Sequence, residues 1–129
     1  MHRVLLAEDN KLNQIVAAGT LDKLGYDVDI VDGGVDAVAA CRDRTFDAVL
    51  MDVMMPDLDG YQAVRQIRDW ETALGGLRVP IIGLSARAME GDREIAIDAG
   101  FNDYLTKPLR ERDLDDALQR WIGAPVVLR

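Results

Sequence analysis

Val49-Leu50-Met51-Asp52-Val53-Met54-Met55-Pro56-Asp57-Leu58-Asp59-Gly60 is the stretch that decides how the rest of the chain is read. With Phe46-Asp47-Ala48 ahead of it, the run up to Met51 is almost continuously apolar and of strand length. That pattern marks a strand covered on both faces, and so central in a parallel sheet. The run ends in an acid, Asp52, and a turn-forming Pro-Asp-Leu-Asp-Gly follows shortly after. In open α/β sheets, ligands bind in the crevice beyond the carboxyl ends of the strands, so an acid delivered there is placed for chemistry more than for packing.

Working outward, four more short apolar runs alternate with helical patterns. Upstream, Arg3-Val4-Leu5-Leu6-Ala7 predicts a first strand closed by Glu8-Asp9-Asn10. Asp9 or Asn10 can cap the helix expected over residues 11–24, which stops at Gly25. Residues 26–31 predict an edge strand of mixed polarity, broken by Asp32-Gly33-Gly34 and followed by a short helix over 35–43. Downstream, Gly60 opens a helix expected over 61–70 with Ala63, Val64 and Ile67 inward. Residues 71–79, with Gly75-Gly76, read as a surface connection without chemistry. Pro80-Ile81-Ile82-Gly83-Leu84 predicts a fourth strand that delivers Ser85, and a helix over 90–99 ends at Gly100. Residues 102–105 predict a short fifth strand before Thr106-Lys107-Pro108, and a last helix expected over 111–122 is stopped by Gly123-Ala124-Pro125. Five strands alternating with five helices mean βαβ units. The expected class is α/β: a flavodoxin-like parallel sheet of order 2-1-3-4-5 with helices on both faces. Residues 1–123 are expected to form one domain, with 124–129 a tail or the start of a linker.

Composition narrows the function classes. A chain of 129 residues, 49% hydrophobic and 29% charged, is one domain's worth of core. It has no run of about 18 apolar residues and no signal-peptide pattern, which leads to the expectation of a soluble cytoplasmic protein with no membrane insertion. The formal net charge of −8 argues against direct nucleic-acid binding, which depends on cationic neutralisation of phosphates. The single cysteine, Cys41, excludes an intrachain disulfide and lies in a helical pattern that packs it. The single histidine, His2, precedes the first strand at the extreme N-terminus.

All strand C-termini of a parallel sheet lie on one edge, so Glu8, Asp9, Asp52, Ser85 and Lys107 converge. Taken singly, each has a bland reading as a helix cap, a turn residue or a surface charge. Jointly they do not, because carboxylates within about 4 to 6 Å repel by several kcal/mol per pair at an effective dielectric near 20. A cap returns only about 1 kcal/mol. The site therefore calls for a cation, and oxygen ligands without His or Cys suit Mg²⁺, with Mn²⁺ possible, better than zinc. Asp52 and Asp9 would each supply an oxygen, Glu8 a contact through water, and a backbone carbonyl just after Asp52 a further one. With Lys107 as fixed positive charge and the Ser85 hydroxyl, this set suffices to position and neutralise a phosphoryl group transferred to Asp52 from an activated donor.

These residues resemble the receiver domains of bacterial two-component response regulators, over almost the whole chain. The matching pieces are Glu8-Asp9-Asn10, Met51-Asp52-Val53-Met54-Met55-Pro56, Asp59-Gly60, Leu84-Ser85-Ala86 and Lys107-Pro108. Asn13-Gln14, Ala88-Met89-Glu90-Gly91-Asp92 and Asp103-Tyr104-Leu105 make the chain look most like receivers of hybrid histidine kinases and phosphorelays. The resemblance implies phosphoryl transfer from a phosphohistidine to the phosphoacceptor Asp52, with Asp9 and Glu8 organising Mg²⁺ and the backbone carbonyl of Met54 adding a ligand. It implies that Ser85 and Tyr104 act as switch residues and that Lys107 reads the added charge. It also implies a cis peptide before Pro108, and a face of the fourth helix, fifth strand and fifth helix that changes partners. A regulatory phosphoacceptor, not a turnover enzyme, is the expectation. On the first helix, Val16, Ala17, Thr20, Leu21 and Leu24 are expected to face the core. Leu12, Ile15 and Gly19 form a second stripe beside the acidic site, which with Pro108 is where the family docks a histidine kinase or a histidine phosphotransfer protein. Met54 and Arg87 depart from the commonest pattern and are expected to affect how long the acyl phosphate survives.

Three other readings fit less well. A flavin-binding protein would share the fold, but Glu8-Asp9 would repel the flavin phosphate. The enzyme alternative is a Mg-dependent phosphatase using an aspartyl-phosphate intermediate. Such enzymes usually place the nucleophile after the first strand with a second acid two residues on, whereas Asp52 follows the third strand and Met54 stands there. A calcium loop centred on Gly60 would need oxygen-rich ligands where Met55 and Gln66 stand.

Overall fold

The computed structural model describes residues 2–86 and 89–122. Its elements alternate strictly: β1 (Arg3–Ala7), α1 (Lys11–Lys23), β2 (Asp27–Val31), α2 (Gly34–Asp43), β3 (Ala48–Asp52), α3 (Gly60–Leu74), β4 (Ile81–Ser85), α4 (Asp92–Ala99), β5 (Asp103–Thr106) and α5 (Glu111–Trp121). The five strands are parallel and lie in the order β2-β1-β3-β4-β5. The near-continuous apolar run of β3 is thus central, and the mixed β2 is an edge. Arg87, and the residues 124–129 expected to form a tail, lie outside the described residues.

Alternation along the strands splits the core into two layers. Leu5, Ala7, Val49, Met51 and Ile81 point to one face, where Val38 of α2, Val64 and Ile67 of α3 and Ala96 of α4 cover them. Val4, Leu6, Leu50, Ile82 and Leu84 point to the other, under Ala17 and Leu21 of α1 and Leu114 and Leu118 of α5. Among the described residues no helix is long and apolar enough to cross a membrane.

The structure departs from expectation in two places. The buried stripe of α1 is Gln14, Ala17 and Leu21, whereas Val16 is 54% exposed and joins Leu12 and Ile15 on the outer surface. The stripe turned because a glutamine, whose amide finds acceptors in the Glu8 carbonyl and the Asp32 carboxylate, occupies a position that an apolar count leaves out. The other departure is α3, which runs four residues past Trp70 to Leu74 before Gly75 closes it in the left-handed conformation at φ 66°. Its last turns hold a buried ion pair, Arg68 Nη1 to Glu71 Oε1 at 2.8 Å, and Glu71 also accepts the Val79 N–H at 2.9 Å. The 71–79 connection is therefore half helix and is tied to the start of β4. Cys41 packs in the core beneath α3, and burial, helped by the charge of Glu71, pushes its thiol up to about 12, which leaves it no role as a nucleophile.

Candidate functional site

The first part of the site is the turn after β1. The Glu8 N–H donates to the Val31 carbonyl at 3.1 Å, continuing the β1–β2 ladder by one residue. The buried Glu8 carboxylate accepts the Asn10 N–H through Oε2 at 3.2 Å. Asn10 Oδ1 in turn accepts the Asn13 N–H at 2.9 Å and caps α1. Because Asn10 is the cap, the exposed Asp9 carboxylate is left to the crevice. One oxygen each of Glu8, Asp9 and Asp52 lie within 4.8 Å of one another.

Asp52 is the last residue of β3 and is 5% exposed. Its Oδ1 accepts the Met54 N–H at 3.0 Å, and its Oδ2 accepts from Lys107 Nζ at 2.8 Å. The same Nζ donates to Glu8 Oε1 at 2.7 Å, so Lys107 bridges two buried carboxylates from the loop after β5. Burial works against the Lys107 ammonium, but the hydrogen bonds and charges of Asp52 and Glu8 outweigh it and hold its pKa above the ordinary value. Glu8 fares differently. Burial raises its carboxyl pKa by more than Lys107 and the Asn10 N–H lower it, and the nearby charge of Asp52 adds to the rise. Three carboxylates facing one ammonium leave a formal surplus of two negative charges. The donors are all hard oxygens, so the set fits Mg²⁺ or Mn²⁺ and does not fit a thiolate- or imidazole-bound metal.

Ser85 ends β4, is buried, and is registered opposite Thr106. Its carbonyl accepts the Lys107 N–H at 2.7 Å, which brings Ser85 beside the lysine. The Lys107–Pro108 peptide is cis. Tyr104, half-buried on β5, lies over Gly83: a Cβ there would come within 3.3 Å of its ring and 3.0 Å of Phe101. The Met54 side chain is 73% exposed at the mouth of the site.

Asp57 and Asp59 stand apart from the acidic cluster and serve as caps. The Asp59 side chain accepts the Gln62 N–H at 2.9 Å in a capping box that starts α3. Only glycine fits at the next position, since a Cβ on Gly60 would lie 2.6 Å from the Asp52 carbonyl oxygen. Asp57 caps a different helix from a distance, accepting the N–H groups of Gly34 and Val35 of α2 at 3.1 and 3.2 Å. Desolvation opposes its charge, but these groups and the Leu58 N–H hold its pKa down. The loop that follows Asp52 is thereby fastened to α2.

Leu12 and Ile15, each 69% exposed, stand with Val16 and Gly19 on the outer surface of α1, and Pro108 is exposed as well. Two residues to which the sequence reading gave no role of their own are prominent. Gln14 donates to the Glu8 carbonyl and to Asp32. Asp103, 2% exposed, accepts from the Tyr104 N–H, Arg93 on α4, and Arg120 and the Trp121 indole on α5. Gln14 could have been found as a polar residue at core spacing, three residues before Ala17 and seven before Leu21; no local periodicity marks Asp103 for its role.

Comparison with known proteins adds the following. The family model for the response regulator receiver domain matches residues 4–119. The sensor protein GacS of Pseudomonas syringae pv. syringae is 41% identical over 121 residues, which are 94% of this chain and 13% of that protein. The chain therefore spans a small part of the length of such relatives. The receiver domain of sensor histidine kinase PA1611 from Pseudomonas aeruginosa PAO1, solved with a magnesium ion coordinated in its active site cleft, is 48% identical with a TM-score of 0.85, covering 95% of this chain and 98% of that one. A co-crystal structure from Saccharomyces cerevisiae pairs the histidine phosphotransfer signaling protein Ypd1 with the receiver domain of its downstream response regulator Ssk1. Its matching chain has a TM-score of 0.90 at 30% identity, covering 97% of this chain and 92% of that one.

Proposed function

This chain belongs to the response regulator receiver domains, and on that premise we propose that it accepts a phosphoryl group from a phosphohistidine donor onto Asp52 in a Mg-dependent reaction and then switches the face it offers to partners. The observation that carries this reading is the double bridge from Lys107 to Asp52 and Glu8, with the Asp9 carboxylate alongside. Glu8, Asp9, Asp52 and the backbone carbonyl of Met54 are the groups that would hold the metal, Glu8 through water. When bound, Mg²⁺ supplies positive charge to the phosphoryl oxygens. An Asp52 carboxylate oxygen attacks phosphorus, the phosphorus–nitrogen bond to the donor imidazole breaks, and the electron pair leaves with that imidazole. The Met54 N–H and Lys107 keep the attacking carboxylate oriented at the end of a rigid central strand, so little ordering is left for the reaction itself. Once Asp52 is an acyl phosphate it no longer holds Lys107 as a free carboxylate does, and the ammonium and the Ser85 hydroxyl pair with the new phosphoryl oxygens. Tyr104 follows, and the change reaches the face formed by α4, β5 and α5.

A histidine kinase or histidine phosphotransfer protein is the donor this reading requires, docked on Leu12, Ile15, Gly19 and Pro108, with Val16 added to that surface. The co-crystallised yeast pair supports this class of partner. The magnesium-bound Pseudomonas aeruginosa receiver supports the metal. Residues 1–123 form the signalling unit, which acts as a regulatory phosphoacceptor in the cytoplasm, where ATP-fed kinases operate. Incubation with a phosphorylated donor protein and Mg²⁺ should label the chain to one phosphate, with no label on Asp52→Asn. Label retained by that variant would remove the site, and continued release of phosphate over many turnovers would favour a phosphatase.

A further inference from the structure

Gln14 is a polar side chain on the core side of α1, 5% exposed, in line with Ala17 and Leu21. Packing alone gives no reason for an amide there, since burying one without partners costs a few kcal/mol. Its Nε2 donates to two acceptors, the Glu8 carbonyl at 2.6 Å and Asp32 Oδ1 at 2.7 Å. Both partners are oxygens that can only accept, so the nitrogen end of the amide must face them. The pairing of β1 with β2 ends at Ala7 and Val31, and Glu8 and Asp32 are the residues that follow. Gln14 therefore joins the two strands just beyond their last paired residues.

The Glu8 carbonyl belongs to the planar Glu8–Asp9 peptide, so fixing its direction fixes the plane from which the Asp9 side chain departs. We propose that Gln14 is a positioning residue for the acidic turn. By holding the Glu8 carbonyl against Asp32, it keeps the Glu8 and Asp9 carboxylates close to Asp52 and so sets the affinity of the site for its divalent cation. This rests on the reading of Glu8, Asp9 and Asp52 as the metal-holding set. Gln14 itself touches neither the metal nor the phosphoryl group, and groups that orient metal ligands typically change affinity by about 10- to 100-fold when lost.

The test is Mg²⁺ titration by calorimetry on the intact chain, with urea unfolding alongside. Gln14→Leu should weaken Mg²⁺ by about tenfold or more. Labelling by a small-molecule phosphodonor at saturating Mg²⁺ should stay close to wild type. Asp32, exposed and outside the metal set, gives a second reading should Gln14→Leu fail to fold. Asp32→Asn keeps an acceptor for the amide and Asp32→Ala does not, while both remove the same charge. The Ala variant should bind Mg²⁺ several-fold more weakly than the Asn variant. An unchanged Mg²⁺ affinity in Gln14→Leu with only a loss of stability, or equal affinities in the two Asp32 variants, would overturn the proposal. A wild-type chain that binds no Mg²⁺ would instead remove the reading of the site, and this inference with it.

Discussion

Replacing Lys107 by methionine leaves the Glu8 and Asp52 carboxylates buried with no cation between them. The size of the effect can be bounded in two ways. Each lost hydrogen bond to a charged group is worth about 1.5 to 3 kcal/mol. Carboxylate oxygens within 4.8 Å of each other repel by about 3.5 kcal/mol at an effective dielectric of 20. The fold has an escape: Glu8, whose pKa burial already raises, can take up a proton. At pH 7 that costs about 1.4 kcal/mol per unit above the ordinary glutamate value near 4.3, or about 3.5 to 4 kcal/mol, which caps the penalty. A raised carboxyl pKa means that the folded state binds the proton better than the unfolded one. The penalty is thus absent below the unfolded value and grows as pH rises toward the folded one. Lys107→Met in chelator should therefore lose about 3 to 4 kcal/mol of stability at pH 7 but only about 1 kcal/mol at pH 5. Saturating Mg²⁺ should return a large part of the loss, since a ligand at a hundred times its dissociation constant adds about 2.7 kcal/mol to the folded state. Urea unfolding followed by circular dichroism at both pH values, with and without Mg²⁺, measures all of this. An unchanged midpoint in chelator at pH 7, or a loss of equal size at pH 5, would refute the reasoning.

Ile15→Asp should slow transfer from a cognate phosphohistidine protein by about tenfold or more, equivalent to 1.4 kcal/mol. It should spare labelling by a small-molecule donor, and equal slowing of both would remove the docking role. Asp103 holds its charge by accepting from the Trp121 indole, Arg93 and the Tyr104 N–H against the desolvation of a buried carboxylate, and its pKa is lowered. Its contribution is therefore present above the ordinary aspartate range and is lost as pH falls through the folded value. Asp103→Asn should cost about 1 to 2 kcal/mol at neutral pH, because Arg93 and Arg120 are exposed enough to return to water. The gap from wild type should narrow in urea titrations near pH 3, and a constant gap would count against the paired charge. Asp57→Ala removes the cap supplied to α2 and should cost about 1 kcal/mol. The Gly34 and Val35 amides should exchange faster with solvent, and unchanged protection there would show that the cap contributes nothing.

The sequence by itself determined the order and type of all ten elements, the parallel class and the edge and central positions of β2 and β3. Apolar periodicity is a property of neighbours a few residues apart, and strand-length runs such as Val49-Leu50-Met51 carry it undiluted. It also brought Glu8, Asp9, Asp52, Ser85 and Lys107 to one edge, since a parallel sheet admits no other place for residues that end its strands. Where polar side chains serve the core, that reading slipped. Gln14 turned the stripe of α1 by a residue, and the Arg68–Glu71 pair hid the last turn of α3. Tertiary structure alone decided which polar atoms meet. Lys107 reaches Glu8 across 99 residues, Asp57 caps α2 across 23, and Gln14 reaches Asp32 across 18. No local pattern encodes such pairs, because their partners are chosen by strand order, register and the loops that approach after the core has formed.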